Sequence, residues 1–147
     1  MKKRLLLLII GLLNTIWAMA QFSGSGSGTE NDPYLILNPI HLNQMRNYLG
    51  TSNVYFKLMA DINLTDFLED ENPTQGWMPI GTSQSYFKGI FDGNGKTISG
   101  LWIARDTEDY VGLFGYCYEA VIKNLTIKDA VIKGNNYVGV ICGRNTT

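Results

Sequence analysis

The chain predicts an all-β fold: a short parallel β-helix with one helix on its N-terminal side. Two observations carry this reading. From residue 86 onward, short apolar stretches are separated by Gly, Asn and Asp, the texture of brief strands joined by tight turns. The same region also echoes itself. TISGLWI (97–103) matches VIKNLTI (121–127) at an offset of 24, pairing Ile98 with Ile122, Leu101 with Leu125 and Ile103 with Ile127. DYVGLFG (109–115) matches NYVGVIC (136–142) at an offset of 27, pairing Tyr110 with Tyr137, Val111 with Val138 and Gly112 with Gly139. A repeat of this size cannot bury its apolar face alone, so equivalent strands are expected to stack on one another, which makes them parallel.

The elements follow in chain order. Lys2, Lys3 and Arg4 precede an apolar run from Leu5 to Trp17 and the small triplet Ala18-Met19-Ala20. That is the pattern of a signal peptide (residues 1–20) cleaved after Ala20, so the product is expected to be exported, secreted or held at the cell surface, and to meet a membrane only during export. Removing those three of the 12 basic residues leaves nine against 13 acidic ones, a formal charge of −4. A mildly acidic chain without a Lys/Arg cluster argues against nucleic acid as a partner.

Residues 21–33, containing FSGSGSGTENDP, read as a flexible Gly/Ser linker. Residues 34–85 read as an N-terminal cap of strand, helix, strand and acidic loop. YLILNPIHLNQMRNYLG opens with a short apolar strand; Asn38 is a helix N-cap with Pro39 at the first position and Gly50 as the stop. Leu42, Met45 and Leu49 then share one helix face. VYFKLMADINL alternates as strand, and TDFLEDENPTQGWMPIG, with Glu69, Asp70 and Glu71, has no sustained period and is expected to be a loop. Residues 86–147 are the repeat coils. Their glycines are assigned to corners: Asp92-Gly93-Asn94-Gly95 is a tight turn, Gly100 and Gly112 lie at bends, and the offset of 24 puts Asn124 where Gly100 lies one coil earlier.

FKGIFDGNGKTISGLWI (87–103) and YVGLFGYCYEAVIKNLTIKDAVIKGNNYVGVICGRN (110–145) resemble the GLUG-motif repeats of bacterial surface proteins. Gly112-Leu113-Phe114-Gly115 fits the motif in full; Val140-Ile141-Cys142-Gly143 departs from it at its first two positions. GSGTENDPYLILNPIHLNQMRNYL, FKLMADINL and WMPIG resemble the usual lead-in, and the signal peptide is like those of Bacteroidetes. The resemblance implies a right-handed parallel β-helix capped at its N-terminal end by the helix near residues 39–49. It also implies an adhesin-like setting, and it carries no catalytic residues. Family members usually continue through more coils, so a fragment or truncated product is expected, with self-association through an open C-terminal coil.

Candidate chemistry is sparse. His41 is the single histidine, and no Cys or carboxylate stands at ligand spacing beside it, so a surface or cap-packing role is expected. Asp92-Gly93-Asn94-Gly95 lacks the length and terminal Glu of a calcium loop. No carboxylate pair recurs at stacked positions: the aligned coils put Arg105 over Asp129, Asp109 over Asn136 and, in the other register, Asp106 opposite Lys133. No cofactor, metal or catalytic residue is assigned, and the chain is expected not to be an enzyme.

The structural repeat residues are Gly93, Gly95, Gly100, Gly112, Leu113, Phe114, Gly115, Asn124, Gly139 and Gly143. Trp77, Tyr86, Tyr116 and Tyr118 are the candidate contacts to a protein or glycan ligand, because aromatic faces stack on sugars and anchor protein contacts. Cys117 and Cys142 are too few for a disulfide framework; buried thiols and a single bridge both fit. The leading expectation is a non-catalytic interaction module. The alternatives are the N-terminal part of a carbohydrate-active β-helix enzyme or surface peptidase, and a structural spacer.

Overall fold

The computed structural model describes residues 21–147, so the expected signal peptide lies outside the described residues. Strands dominate. They are β1 (Tyr34–Ile36), β2 (Tyr55–Leu58), β3 (Ile62–Asn63), β4 (Ile90–Asp92), β5 (Thr97–Ser99), β6 (Trp102–Ala104), β7 (Phe114–Tyr118), β8 (Val121–Lys123), β9 (Thr126–Lys128), β10 (Val131–Lys133) and β11 (Cys142–Thr146). Two short helices, α1 (Pro39–Gln44) and α2 (Thr65–Glu71), complete the set, with a 3-10 turn over Met45–Tyr48.

Every pairing between these strands is parallel. The sheets run β1-β2-β4-β8, β3-β5-β9, β6-β10 and β7-β11. The chain therefore visits the four sheets in one order, β4 to β7, and then again, β8 to β11. β1 turns Tyr34 and Ile36 inward, whereas β4, β5, β6, β8, β9 and β10 turn their middle residue inward, so one apolar residue per strand suffices for the core. Those middle residues line up in register: Phe56, Phe91 and Ile122 in one column, Ile62, Ile98 and Ile127 in a second, Ile103 and Ile132 in a third. Burial falls off toward the last tier. Phe91 and Ile98 are fully buried, Ile122, Ile127 and Ile132 half-buried, and Val121 and Val131 on the same tier are 48% and 59% exposed.

At the opposite end the core is closed. The Asn38 side chain accepts a hydrogen bond from the His41 amide (2.9 Å), Pro39 occupies the first turn, and α1 with the 3-10 turn buries Leu42 and Met45. Residues 22–33, expected as a flexible linker, are packed onto this end instead. Phe22 is buried against Tyr34, His41 and Phe56, the Leu35 amide bonds the Ser25 carbonyl, and the Tyr55 amide bonds the Gly28 carbonyl. Small residues let the backbone lie close to β1, where a linker reading sees only flexibility.

Two further expectations are corrected. The acidic segment after residue 64 is not all loop: α2 forms there, burying Leu64 and Leu68 one turn apart and turning Asp66, Glu69, Asp70 and Glu71 to solvent. The offset of 24 is also wrong. Ile98 pairs with Ile127 rather than Ile122, Ile103 with Ile132 rather than Ile127, and Ile122 with Phe91. Ile122, Ile127 and Ile132 recur at equal spacing around a single tier, so an alignment can slip by one whole face and still match apolar with apolar. The offset of 27 stands for Val111 and Val138, and one extra residue then shifts Phe114 onto Cys142.

Candidate recognition surface

The repeat residues form corners and close contacts. Gly100 has φ +68°, and Asp129, which follows it by one tier, has φ +53°, so this corner is left-handed in both tiers. Asn124 is not the counterpart of Gly100, as expected from the slipped offset; it lies over Gly93. Its side-chain amide donates to Asp92 Oδ1 (3.0 Å), and its carbonyl accepts from the Gly95 amide. Asp92 Oδ1 also accepts from the Asn94 amide (2.8 Å), and Asn94 Nδ2 donates to the Leu58 carbonyl (3.1 Å), so the turn ties three tiers together. Gly112, Leu113, Phe114 and Gly115 are all buried. A side chain at Gly112 would meet the Gly139 carbonyl, and one at Gly143 would meet the Val111 amide nitrogen at 2.7 Å, so these motif glycines mark where neighbouring tiers touch through backbone.

The candidate ligand contacts divide. Trp77 is only 1% exposed: its Nε1–H donates to the Leu113 carbonyl (3.0 Å) and the Arg46 guanidinium lies 5.4 Å from the ring centroid. It is a core residue, and its assignment as a ligand contact is withdrawn. Tyr86, Tyr116 and Tyr118 are partly exposed on the outer side of β7, where alternation along Tyr116–Tyr118 turns Cys117 inward and the two tyrosines outward; Phe114 and Gly115, both buried, break the alternation at the start of the strand.

Around them a strip of rings assembles in two groups. Tyr86 packs on Tyr118 (5.2 Å), Tyr116 meets Tyr110 edge-on (5.2 Å), and Tyr110 stacks on Tyr137 (5.0 Å, 10° between planes). Cations interleave with the rings. Lys88 Nζ is 5.0 Å from the Tyr118 ring and 2.8 Å from Glu119, and Arg144 lies over both Tyr116 (5.7 Å) and Tyr137 (5.0 Å). The hydrogen bond to Glu119 raises the Lys88 pKa. Lys88 and Arg144 were not singled out in the sequence, because only the pairing of Phe87 with Cys117 and of Arg144 with Tyr116 puts them beside the rings.

The expected charge stackings also resolve. Asp109 does meet Asn136, accepting from its amide and its side chain (both 3.0 Å). Arg105 does not lie over Asp129: its amide bonds the Lys133 carbonyl, and its buried guanidinium pairs with Glu108 (2.8 Å) and bonds the Trp77 carbonyl (3.3 Å). Asp106 is not opposite Lys133, which pairs with Ala104. His41 packs against Phe22, its Nδ1 facing the Leu37 amide (3.4 Å). Cys117 and Cys142 are free thiols with sulfurs 3.2 Å apart. Contact with Cys142 and burial raise the Cys117 pKa, and the same contact lowers that of Cys142.

Among known proteins, residues of this chain are 40% identical over 128 positions to a protein of Evansella cellulosilytica named as a Gly-rich membrane protein, covering 84% of this chain and 14% of that one. They are 38% identical over 120 positions to halomucin of Haloquadratum walsbyi, covering 80% of this chain and 1% of that one. The chain thus spans a small part of the relatives it matches. No protein-family model matches it, and no solved structure matches it. Among the described residues no helix is long and apolar enough to cross a membrane.

Proposed function

We propose that this chain is a non-catalytic, exported interaction module of the GLUG-repeat type, built as a short right-handed parallel β-helix with α1 and the 22–33 segment capping its N-terminal end. It works at the cell surface or in the medium after cleavage following Ala20, and it presents the tyrosine strip to a protein or glycan partner. Four parallel sheets entered in a fixed order support the β-helix reading. The surface setting is supported by the membrane protein among its relatives and by the positively charged, apolar N-terminus.

One observation carries the functional reading. Tyr86, Tyr116, Tyr118, Tyr110 and Tyr137 lie side by side on one outer face, interleaved with Lys88 and Arg144, rather than being spent on the core. Rigid aromatic faces with a polar tip give large contact area at low entropic cost. The test is binding of the exported full chain to arrays of glycans and of extracellular proteins. Wild type should retain at least one ligand that the double variant Tyr116→Ala, Tyr118→Ala loses while keeping its melting temperature within a few degrees. Equal binding by the two would reject the strip as the contact surface.

A further inference from the structure

A cleft of about 630 Å³ opens beside the strip, between the segment around Met78–Gln84 and the turn Arg105–Tyr110. Its volume lies in the range of small-molecule sites, roughly 300–1,000 Å³. Leu49, Met78 and Pro79 give it an apolar wall, Thr82, Ser83 and Gln84 a polar rim, and Tyr110 joins it to the strip.

The two arginines of this cleft are matched in number by Glu108 and Asp109, but only one of them is paired. Arg105 is buried and has Glu108 as its counter-ion. Arg46 is half-buried, and the acceptors found for its N–H groups are neutral: the Asn43 carbonyl and side chain, the Met78 carbonyl (2.8 Å) and the Pro79 carbonyl (3.4 Å). None of the ion pairs among the described residues includes it. Burial, and then the charge of Arg105, lower its pKa to about 10, so it keeps its charge at neutral pH with no carboxylate at salt-bridge distance among the described residues. A partly desolvated guanidinium in that state gains from an arriving anion, and its flat two-pronged donor set matches a carboxylate.

The remaining groups narrow the class of anion. Glu108 and Asp109 line the same cleft, and they repel a doubly charged phosphate while accepting hydrogen bonds from hydroxyls. Tyr110 offers a ring held in place by Tyr137, on a backbone with φ +62°. One carboxylate, several hydroxyls and an apolar ring face describe an acidic sugar. We propose that this cleft binds a uronate unit of a glycan, with Arg46 facing its carboxylate, Tyr110 beneath its ring and Asp109 with the 82–84 rim on its hydroxyls. This rests on the glycan branch of the function proposed above.

The experiment measures binding of the full chain to galacturonate, glucuronate and mannuronate oligosaccharides, each beside its neutral methyl ester. Wild type is expected to bind at least one acid form at least about tenfold more tightly than its ester, the loss expected when a charged hydrogen-bond partner is removed. Arg46→Gln should abolish that preference, and Lys128→Ala, an exposed cation outside both the cleft and the strip, should leave it intact. Equal binding of acid and ester by wild type overturns the inference while the strip reading stands. Failure of every uronate pair overturns it as well, and the array test of the strip then decides the broader reading separately. If Arg46→Gln does not fold, the acid-to-ester ratio of wild type still decides.

Discussion

Tyr110 and Tyr137 stack at 5.0 Å with their planes 10° from parallel, and both residues adopt positive φ, +62° and +55°. A left-handed backbone at a bulky residue costs on the order of 1 kcal/mol or more. The stack of two rings, worth about 1 kcal/mol, offsets part of that strain. Ring and backbone can be separated by two variants. Tyr137→Ala keeps the strain and loses the stack, so it should destabilise by about 1 kcal/mol. Tyr137→Gly loses the stack and the strain together and should melt above Tyr137→Ala in the same scan. The reverse order would show that the left-handed conformation is not strained.

Gly112 lies where adjacent tiers meet through backbone, since a side chain there would run into the Gly139 carbonyl. No flexible group is available to yield. Gly112→Ala should cost about 1–3 kcal/mol, the scale of overpacking. Gly95→Ala has nothing within 4 Å of the new carbon and suffers only from its φ of +70°. Urea unfolding should therefore show the larger drop in midpoint for Gly112→Ala.

How much of this was legible in the sequence depends on what sets each contact. The Tyr110 and Tyr137 pair could be read because its surrounding motif, Y-V-G, occurs in only one place per tier. The isoleucine columns could not, because three similar strands within one tier offer three nearly equal registers, and only packing of Phe91 on Ile122 chooses among them. Helix α2 was missed because its seven residues bury only Leu68, with Leu64 just before the first turn, too little for a period. Trp77 looked like a surface aromatic because its partners, Arg46 and the Leu113 carbonyl, come from distant segments. The cleft was illegible for the same reason: Arg46 and Arg105 meet only once the tiers have stacked.

The thiols of Cys117 and Cys142, 3.2 Å apart, connect the last two tiers. Treatment with oxidised glutathione should convert them to a disulfide, each chain losing two hydrogens while glutathione is reduced. The lowered pKa of Cys142 makes it the attacking thiolate. Closing this loop of about 25 residues should stabilise the fold by about 3 kcal/mol. Intact-mass and melting measurements before and after oxidation check both parts. Thiols that still react fully with maleimide after oxidation would count against the pairing.

Trp77 gives a sharper test of the core. Trp77→Phe removes part of a fully buried ring and one of two donors to the Leu113 carbonyl, which keeps the Ile80 amide, so lost packing and one neutral hydrogen bond should together cost about 1–3 kcal/mol, more than for a surface tyrosine. Ligand binding by the strip should be unchanged in the folded variant. A loss of binding without a loss of stability would restore Trp77 to the contact surface.

Asp92 predicts how stability responds to acid. Partial burial pushes its carboxyl up, but the hydrogen bonds from the Asn124 side chain and the Asn94 amide, with the charges of Lys123 and Lys57, outweigh this and hold its pKa below the ordinary 3.8. A group depressed on folding stabilises the folded state while it is ionised. Its contribution is therefore complete above the unfolded value and disappears as the pH falls through the folded one. Asp92→Asn keeps the size and one acceptor but cannot be charged. The stability gap between wild type and Asp92→Asn should be constant from neutral pH down to about pH 5 and narrow below about pH 4. Chemical unfolding of both chains across that range measures it, and a gap that widens in acid would mean the carboxyl is held above its ordinary pKa.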